Sequence, residues 1–211
     1  MQRDAESVFS GEAQSLATGK LETSSPVVLM PYAPVWPSQF ASIERQLAAV
    51  CPKSEFKIEH IGSTAVPGMA AKPIIDVMLG ALSLAAIEAK VDTLAAIGFH
   101  YVPAFNAEMP MRRYFVLPVT YPRLTHLHAV VQGGMFWCDH LLFRDALRCN
   151  PELFRAYAVL KQELAEKFPD DSWAYAAAKS AFVQTAVNHA RMTEEQRPTV
   201  IDTMADCKPG A

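Results

Sequence analysis

His60-Ile61-Gly62-Ser63-Thr64-Ala65-Val66-Pro67-Gly68-Met69-Ala70-Ala71-Lys72-Pro73-Ile74-Ile75-Asp76-Val77-Met78-Leu79 is the stretch that decides the fold. It reads as the end of a strand, a tight loop able to receive an anion, a lysine, and then a strand covered on both faces that carries one carboxylate. Gly62 lets the backbone come close to a ligand, the hydroxyls of Ser63 and Thr64 and nearby N–H groups can face phosphate oxygens, and Lys72 supplies a cation. Asp76 interrupts the apolar run Ile74, Ile75, Val77, Met78, Leu79, which has the length of a buried strand. Charged residues are seldom buried without partners. Asp76 therefore either sits at a strand end where it caps a loop or pairs with Lys72, or belongs to a ligand site.

Upstream, Phe56 to Ile61 alternates as a strand and delivers the chain to Gly62. Before it, Pro37 suits a first helical turn, and Phe40, Ile43, Leu47 and Val50 recur at helical spacing until Cys51-Pro52 ends the run. Glu44 lies one turn on from Phe40, where it can salt-bridge a core-facing base or reach the ligand loop. Val27 to Met30 is a short strand that stops at Pro31. Residues 1–25 are rich in Ser, Thr, Gly, Ala, Gln and Glu and carry too few apolar positions to offset the cost of ordering, which predicts a flexible N-terminal extension.

Downstream, Ser83 is a good N-cap for one covering helix with Ile87, Val91, Leu94 and Ile97 on a single face, ended by Gly98. Phe99 to Pro103, Arg113 to Val119 and Thr125 to Val131 follow as strands, giving a mixed sheet with a helix on at least one face. Past Gln132-Gly133-Gly134 the pattern is helical. Met135 to Arg148 forms one helix, Asn150-Pro151-Glu152 starts the next, and Asp170-Asp171 caps a third that runs to about Met192. The organisation expected is an α/β core over 26–134, a C-terminal helical segment over 135–192 and a flexible tail over 193–211.

Composition bounds what this chain can do. Its 211 residues, 51% hydrophobic and 19% charged, suffice for one domain with a proper core plus a helical appendage. A net charge of −3 gives no global pull toward duplex nucleic acid or anionic membrane, so any polyanion site is a local patch. Cys51, Cys138, Cys149 and Cys207 show no Cys-x-x-Cys pair and no dense spacing, which suits reduced thiols in a cytoplasm. The N-terminus lacks the apolar core of a secretory signal, and no run of about 18 apolar residues is present to span a bilayer.

Two polar constellations stand out beyond the loop. In a strand, His126 and His128 point to one face, where they can bind a divalent metal or hold a carboxylate or phosphate; the alternative is a half-exposed polar sheet face with hydrogen-bonded imidazoles. Arg112 and Arg113 lie on the preceding strand, and Arg113 could reach the same surface in an antiparallel hairpin, as could Asp76 from an adjacent strand. The second is an echo, Tyr157-x-x-x-Lys161 against Tyr175-x-x-x-Lys179, each pair one helical turn apart. Either each lysine lays its stem over the tyrosine ring with its head in water, or the two helices build a basic wall for a triphosphate or ribose.

The run from His60 to Asp76 resembles the signature of the GrpB family, a largely uncharacterised group with a nucleotidyltransferase-like fold. Tyr32, Trp36, Pro37, Phe40, Glu44 and Leu47 match its opening segment. His126-Leu127-His128, Phe143-Arg144-Asp145, Tyr157, Lys161, Tyr175, Lys179 and Phe182 fall in its order, so the likeness covers about residues 27–190. It implies a nucleotidyltransferase-like mixed sheet flanked by helices, with a C-terminal helical segment. It also implies related domains fused to dephospho-coenzyme-A kinase. Nucleotidyl transfer in that superfamily uses a Gly-Ser loop followed by two acids separated by one residue. Gly62-Ser63 supplies the loop and Asp76 the first acid, but Met78 stands at the second position, and a thioether is a poor Mg²⁺ ligand. Ala33 stands where the family more often has an acid.

Three activities fit this chain. The first is a transferase that moves a nucleoside monophosphate from a nucleoside triphosphate to a small acceptor. It would use His60, Gly62, Ser63, Thr64, Lys72, Arg113, Tyr157, Lys161, Tyr175 and Lys179 for binding, and Asp76 and His128 for catalysis. Asp76, His126 and His128 would hold Mg²⁺ or Mn²⁺, and imidazole ligands suit Mn²⁺ or Zn²⁺ better than Mg²⁺. The second is a non-catalytic domain that binds a nucleotide or phosphorylated metabolite and regulates a protein partner, which Met78 favours. The third is a metal-dependent phosphoesterase built on Asp76, His126 and His128.

Overall fold

The computed structural model describes residues 26–118 and 122–195. The extension expected over 1–25 lies outside the described residues, as does the tail expected over 193–211 except for 193–195, which are helical. The first helix, α1 (Trp36–Val50), follows Pro31 and a short turn, and buries Trp36, Ile43 and Leu47. Strand β1 (Phe56–Ile61) leads through a single 3-10 turn at Ser63–Ala65 to β2 (Ile75–Ala81). Two short helices, α2 (Leu84–Glu88) and α3 (Val91–Ala96), stand where one was expected, and Ser83 Oγ accepts from the Ala86 N–H as its cap. Then come β3 (His100–Tyr101), β4 (Arg112–Leu117), β5 (Thr125–Val131), α4 (Met135–Cys149) and α5 (Pro151–Lys167). The last helix expected is divided at Lys179 into α6 (Ser172–Ala178) and α7 (Ser180–Glu195). Asn150 and Asp171 cap α5 and α6 through their side-chain oxygens, as the sequence predicts.

The five strands form one mixed sheet in the order β1-β2-β5-β4-β3. β1 and β2 are antiparallel, β2 and β5 parallel, and β5 with β4 and β4 with β3 antiparallel. Val27 to Met30 does not join it; Met30 makes one bridge to Ala71, because the chain turns away at Pro31.

Alternation sorts the side chains onto two faces. Leu47, Phe56, Val77, Leu79, Phe115 and Leu127 pack on the face covered by α1, α2 and α3, the larger of the cores. The other face is covered by α4, whose Trp137 ring lies on the sheet so closely that a Cβ at Gly80 would sit 2.4 Å from it. Met78 lies beneath this helix among Ile61, Met109, Phe136 and Trp137, fully buried. Val66, Met69, Leu147, Tyr157 and Val187 form a further cluster that joins the loop after β1 to the C-terminal helices. Among the described residues no helix is long and apolar enough to cross a membrane, and Cys51, Cys138 and Cys149 are free thiols.

Candidate functional site

The parallel pairing of β2 and β5 sets Asp76 directly beside His126, with Met78 beside His128. All four point to the face under α4. His126 Nδ1 lies 3.4 Å and His128 Nε2 lies 3.6 Å from Asp76 Oδ1, and the three ligand atoms lie within 4.8 Å of one another. Hydrogen bonds between such groups run about 2.7–3.2 Å, so these separations are long for direct bonds. The 3.4 Å separation matches, and the 3.6 Å one slightly exceeds, the edge of a tetrahedron around an ion with ligands at about 2.0–2.1 Å, which is about 3.3–3.4 Å. One carboxylate and two imidazoles make a donor set for Zn²⁺ or Mn²⁺ rather than Mg²⁺.

Gly62 presses on this carboxylate. Its φ of 71° and ψ of −173° fall in a region open to glycine alone, and a Cβ there would meet Asp76 Oδ2 at 2.3 Å. Burial pushes the Asp76 carboxyl up, but the two imidazoles facing it outweigh that and hold it well below the usual carboxylate range. Its side chain keeps 28% exposure, so a ligand can reach it.

Two lysines, Lys72 and Lys161, feel the charge of the same carboxylate. Lys161 is 2% exposed, its ammonium donates to the Ala70 carbonyl, and it lies over the Tyr157 ring. Burial and the neighbouring Lys179 lower its pKa to about 7, with Asp76 pulling the other way. Lys72 is lowered by burial and likewise raised by Asp76. Lys179 Nζ sits over the Tyr175 ring at 4.2 Å, and the Tyr175 hydroxyl is raised by burial and by Tyr157. The echo of the sequence thus closes into one cluster. The snorkelling alternative does not hold for Lys161, whose head is spent inside the protein.

Several expected site residues stand elsewhere. Arg113 pairs with Ala129 on the opposite face, where it binds Glu88 at 2.7 Å; the phase of the hairpin puts Arg112 toward the histidines instead. His60 pairs with Val77 and so faces away from Asp76. It stacks on Phe40 and meets the Thr64 hydroxyl at 3.0 Å, while that hydroxyl also donates to the Ile74 carbonyl. Burial, aided by Arg144 and Arg148 against Asp76, lowers His60 to a pKa of about 4. His60 and Thr64 therefore brace the loop from within, leaving exposed Gly62 and half-buried Ser63 on its outer side. Glu44 binds Lys53, an exposed residue rather than a core-facing base.

Sequence reasoning missed the arginines of α4 as loop supports. Arg144 donates to the His60 carbonyl at 3.0 Å and to Glu59 at 2.8 Å, and Arg148 donates twice to the Ala65 carbonyl, at 3.0 and 2.6 Å. They grip both shoulders of the Gly62-Ser63-Thr64 turn; their spacing of four places them on one helix face, but nothing in the sequence names the loop carbonyls as their partners. A hollow of about 360 Å³ beside them, lined by Tyr32, Phe40, His60 and Thr64 among others, opens on the far side of the loop. Tyr114, also missed, lies with its ring centroid 5.5 Å from each of His126 and His128.

The family model described as GrpB protein matches residues 26–189. The chain belongs to the GrpB family. It is 34% identical over 193 residues to the UPF0157 protein YqkA of Bacillus subtilis, covering 92% of this chain and 55% of that one. It is 31% identical to the glutamate-rich protein GrpB of Alkalihalophilus pseudofirmus, over 77% of this chain and 94% of that one. A dephospho-CoA kinase of Mycolicibacterium paratuberculosis is 30% identical over 84% of this chain and 49% of its own length. The chain spans about half the length of YqkA and of that kinase. A crystal structure of the conserved protein GrpB from Enterococcus faecalis superposes with a TM-score of 0.72 at 30% identity, covering 80% of this chain and all of that one. The GrpB resemblance and the mixed sheet flanked by helices expected from the sequence both stand.

Proposed function

We propose that this GrpB protein binds a nucleoside triphosphate or similar phosphorylated small molecule together with one divalent ion, and transfers the nucleoside monophosphate to a small acceptor with release of pyrophosphate. The observation that carries this reading is the convergence of Asp76, His126 and His128 with the cations Lys72 and Lys161, both of which feel the Asp76 charge. Asp76 and His126 would form the seat for the ion, with His128 beside it facing the ligand; the ion when bound would polarise phosphate oxygens. Lys72 and Lys179 neutralise the phosphate charge, with Lys161 adding its field from its buried place behind them, Gly62 and Ser63 bring backbone N–H groups to it, and the Tyr157 and Tyr175 rings hold Lys161 and Lys179 in place.

A second reading is a non-catalytic binding domain that regulates a partner. Met78, buried under α4 where a second acid would stand, supports it, and so does the likeness to half of a dephospho-CoA kinase. Thermal melting of wild type, Asp76→Asn and Arg113→Ala with nucleoside triphosphates, with and without Mg²⁺, Mn²⁺ or Zn²⁺, tests the site. A ligand at about 100 times its dissociation constant adds about 2.7 kcal/mol, a rise of several degrees. Stabilisation that needs metal, vanishes in Asp76→Asn and persists in Arg113→Ala is the expected result. Labelled transfer to an acceptor then separates the two readings. No shift with any nucleotide and metal would overturn the transferase reading and leave the partner-regulating one.

A further inference from the structure

Arg112 is a buried cation that the site does not use for binding. It is 8% exposed, its guanidinium lies 4.8 Å from the Tyr114 ring centroid and 5.8 Å from that of Phe136, and Nη1 stands 3.1 Å from His128 Nδ1. The His128 ring is held between the same two aromatic rings, at 5.5 and 5.9 Å. Both side chains are largely enclosed, Arg112 at 8% and His128 at 12% exposure. A guanidinium has five N–H donors and no acceptor. The contact is therefore a hydrogen bond only when Nδ1 accepts, and a neutral imidazole that accepts at Nδ1 carries its proton on Nε2.

That nitrogen is the one directed at Asp76 Oδ1. From this geometry we infer that Arg112 fixes His128 as the Nε2–H tautomer, so that His128 serves as a hydrogen-bond donor to an anionic ligand oxygen in the site, while Asp76 and His126 hold the ion. Metal-ligating histidines have the opposite arrangement, since they donate their second ring N–H to a carboxylate, carbonyl or water. His126 faces Asp76 through Nδ1, whereas the guanidinium of Arg112 meets the Nδ1 of His128. The two histidines thus share a strand face and divide the work: one ligates, and the other offers a proton-bearing nitrogen to a phosphate oxygen. Arg112 acts as a positioning residue through His128. This division of roles rests on the metal-and-phosphate reading above, but the tautomer is a property of the metal-free protein.

The test is histidine ring ¹⁵N NMR on the full chain, first without metal and then during titration with Zn²⁺ alone, using His126 and His128 single variants for assignment. The metal-free protein is expected to show His128 with a protonated Nε2 and an unprotonated Nδ1. An Nδ1–H tautomer overturns the inference outright. On adding Zn²⁺, the His126 ring signals shift and the His128 Nε2–H signal persists; loss of that proton to the metal overturns the assignment of His128 as donor. Should Zn²⁺ move neither ring, the metal reading of the site fails while the tautomer result still decides the role of Arg112. Arg112→Met releases Nδ1, so His128 becomes free to ligate and Zn²⁺ affinity rises by about tenfold or more. A fall of about 10–100-fold, as on losing the outer partner of a ligating histidine, would overturn the inference. Arg112→Lys, which again offers only donors, keeps the wild-type tautomer. If Arg112→Met does not fold, the wild-type spectra alone decide.

Discussion

Replacing Gly62 by alanine should damage the protein through one identifiable contact. The backbone there has φ 71° and ψ −173°, a conformation that costs a residue with a side chain about 1–3 kcal/mol. The new methyl would lie 2.3 Å from Asp76 Oδ2 and 3.0 Å from both Cβ and Cγ of Asp76, and relieving such overpacking typically costs about 1–3 kcal/mol more. Gly62→Ala should therefore lose about 2–6 kcal/mol, a fall in Tm of roughly 4–24 °C at about 2–4 °C per kcal/mol for a domain of this size. Gly68 is the internal control. It too has positive φ, 80°, but a methyl there meets nothing closer than Phe154 at 3.7 Å, so Gly68→Ala carries only the backbone share. Urea unfolding followed by far-UV circular dichroism and tryptophan fluorescence gives both numbers and tests two-state behaviour. In an Asp76→Ala background, with Oδ2 and Cγ gone, the cost of Gly62→Ala should shrink by at least about 1 kcal/mol. Equal costs for the two glycines, or a Gly62→Ala cost unchanged without the carboxylate, would refute the close packing of loop on Asp76.

Three further outcomes are expected. The folded state keeps His60 neutral down to a pKa of about 4, against about 6.5 unfolded. Stability is therefore full above about pH 6.5 and falls by up to about 3 kcal/mol as pH drops toward 4; in His60→Gln the urea midpoint should decline less over that window, and identical slopes would remove the effect. Met78→Asp should not create a second metal position, because the carboxylate would be buried among Ile61, Met109, Phe136 and Trp137. It should cost about 3 kcal/mol or more, and a variant of wild-type Tm with two bound ions per chain would contradict the packing. Lys161, lowered to about 7, is mostly neutral at pH 8, and an anion beside it favours the charged form. Calorimetric binding of a nucleoside triphosphate at pH 8, in two buffers of different ionisation enthalpy, should show uptake approaching one proton that is lost in Lys161→Met.

The apolar periods made most of the architecture legible. The strand carrying Asp76 follows from the length of its apolar run and the face shared by His126 and His128 from period two, and the caps at Ser83, Asn150 and Asp171 act as their chemistry dictates. Phase between strands is a different matter. Whether Arg112 or Arg113 joins the histidines depends on which β4 residue pairs with Ala129, and that register is set by the packing of Phe115 and Leu127 on α1 to α3. The breaks at Ala89-Lys90 and Lys179 carry no proline or glycine to announce them. Arg148 was hidden for another reason: its partner is the Ala65 carbonyl, and a backbone acceptor leaves no mark on the side-chain sequence.

The in-register pairing of Asp76 with His126 acts as a ruler. Adjacent strands are held about 4.8 Å apart by their ladder, so the spacing between the carboxylate and its facing imidazole cannot be retuned by lengthening a loop, and a slip of one residue would turn both side chains to the wrong face. The lysines have no such gauge. Lys161 rides on a helix, and Lys179 sits at the joint between two of them, where small rotations of α5 or α6 change the width of the gap. An engineer seeking to fit a larger or smaller phosphorylated ligand would redesign those helices and leave the two strands alone.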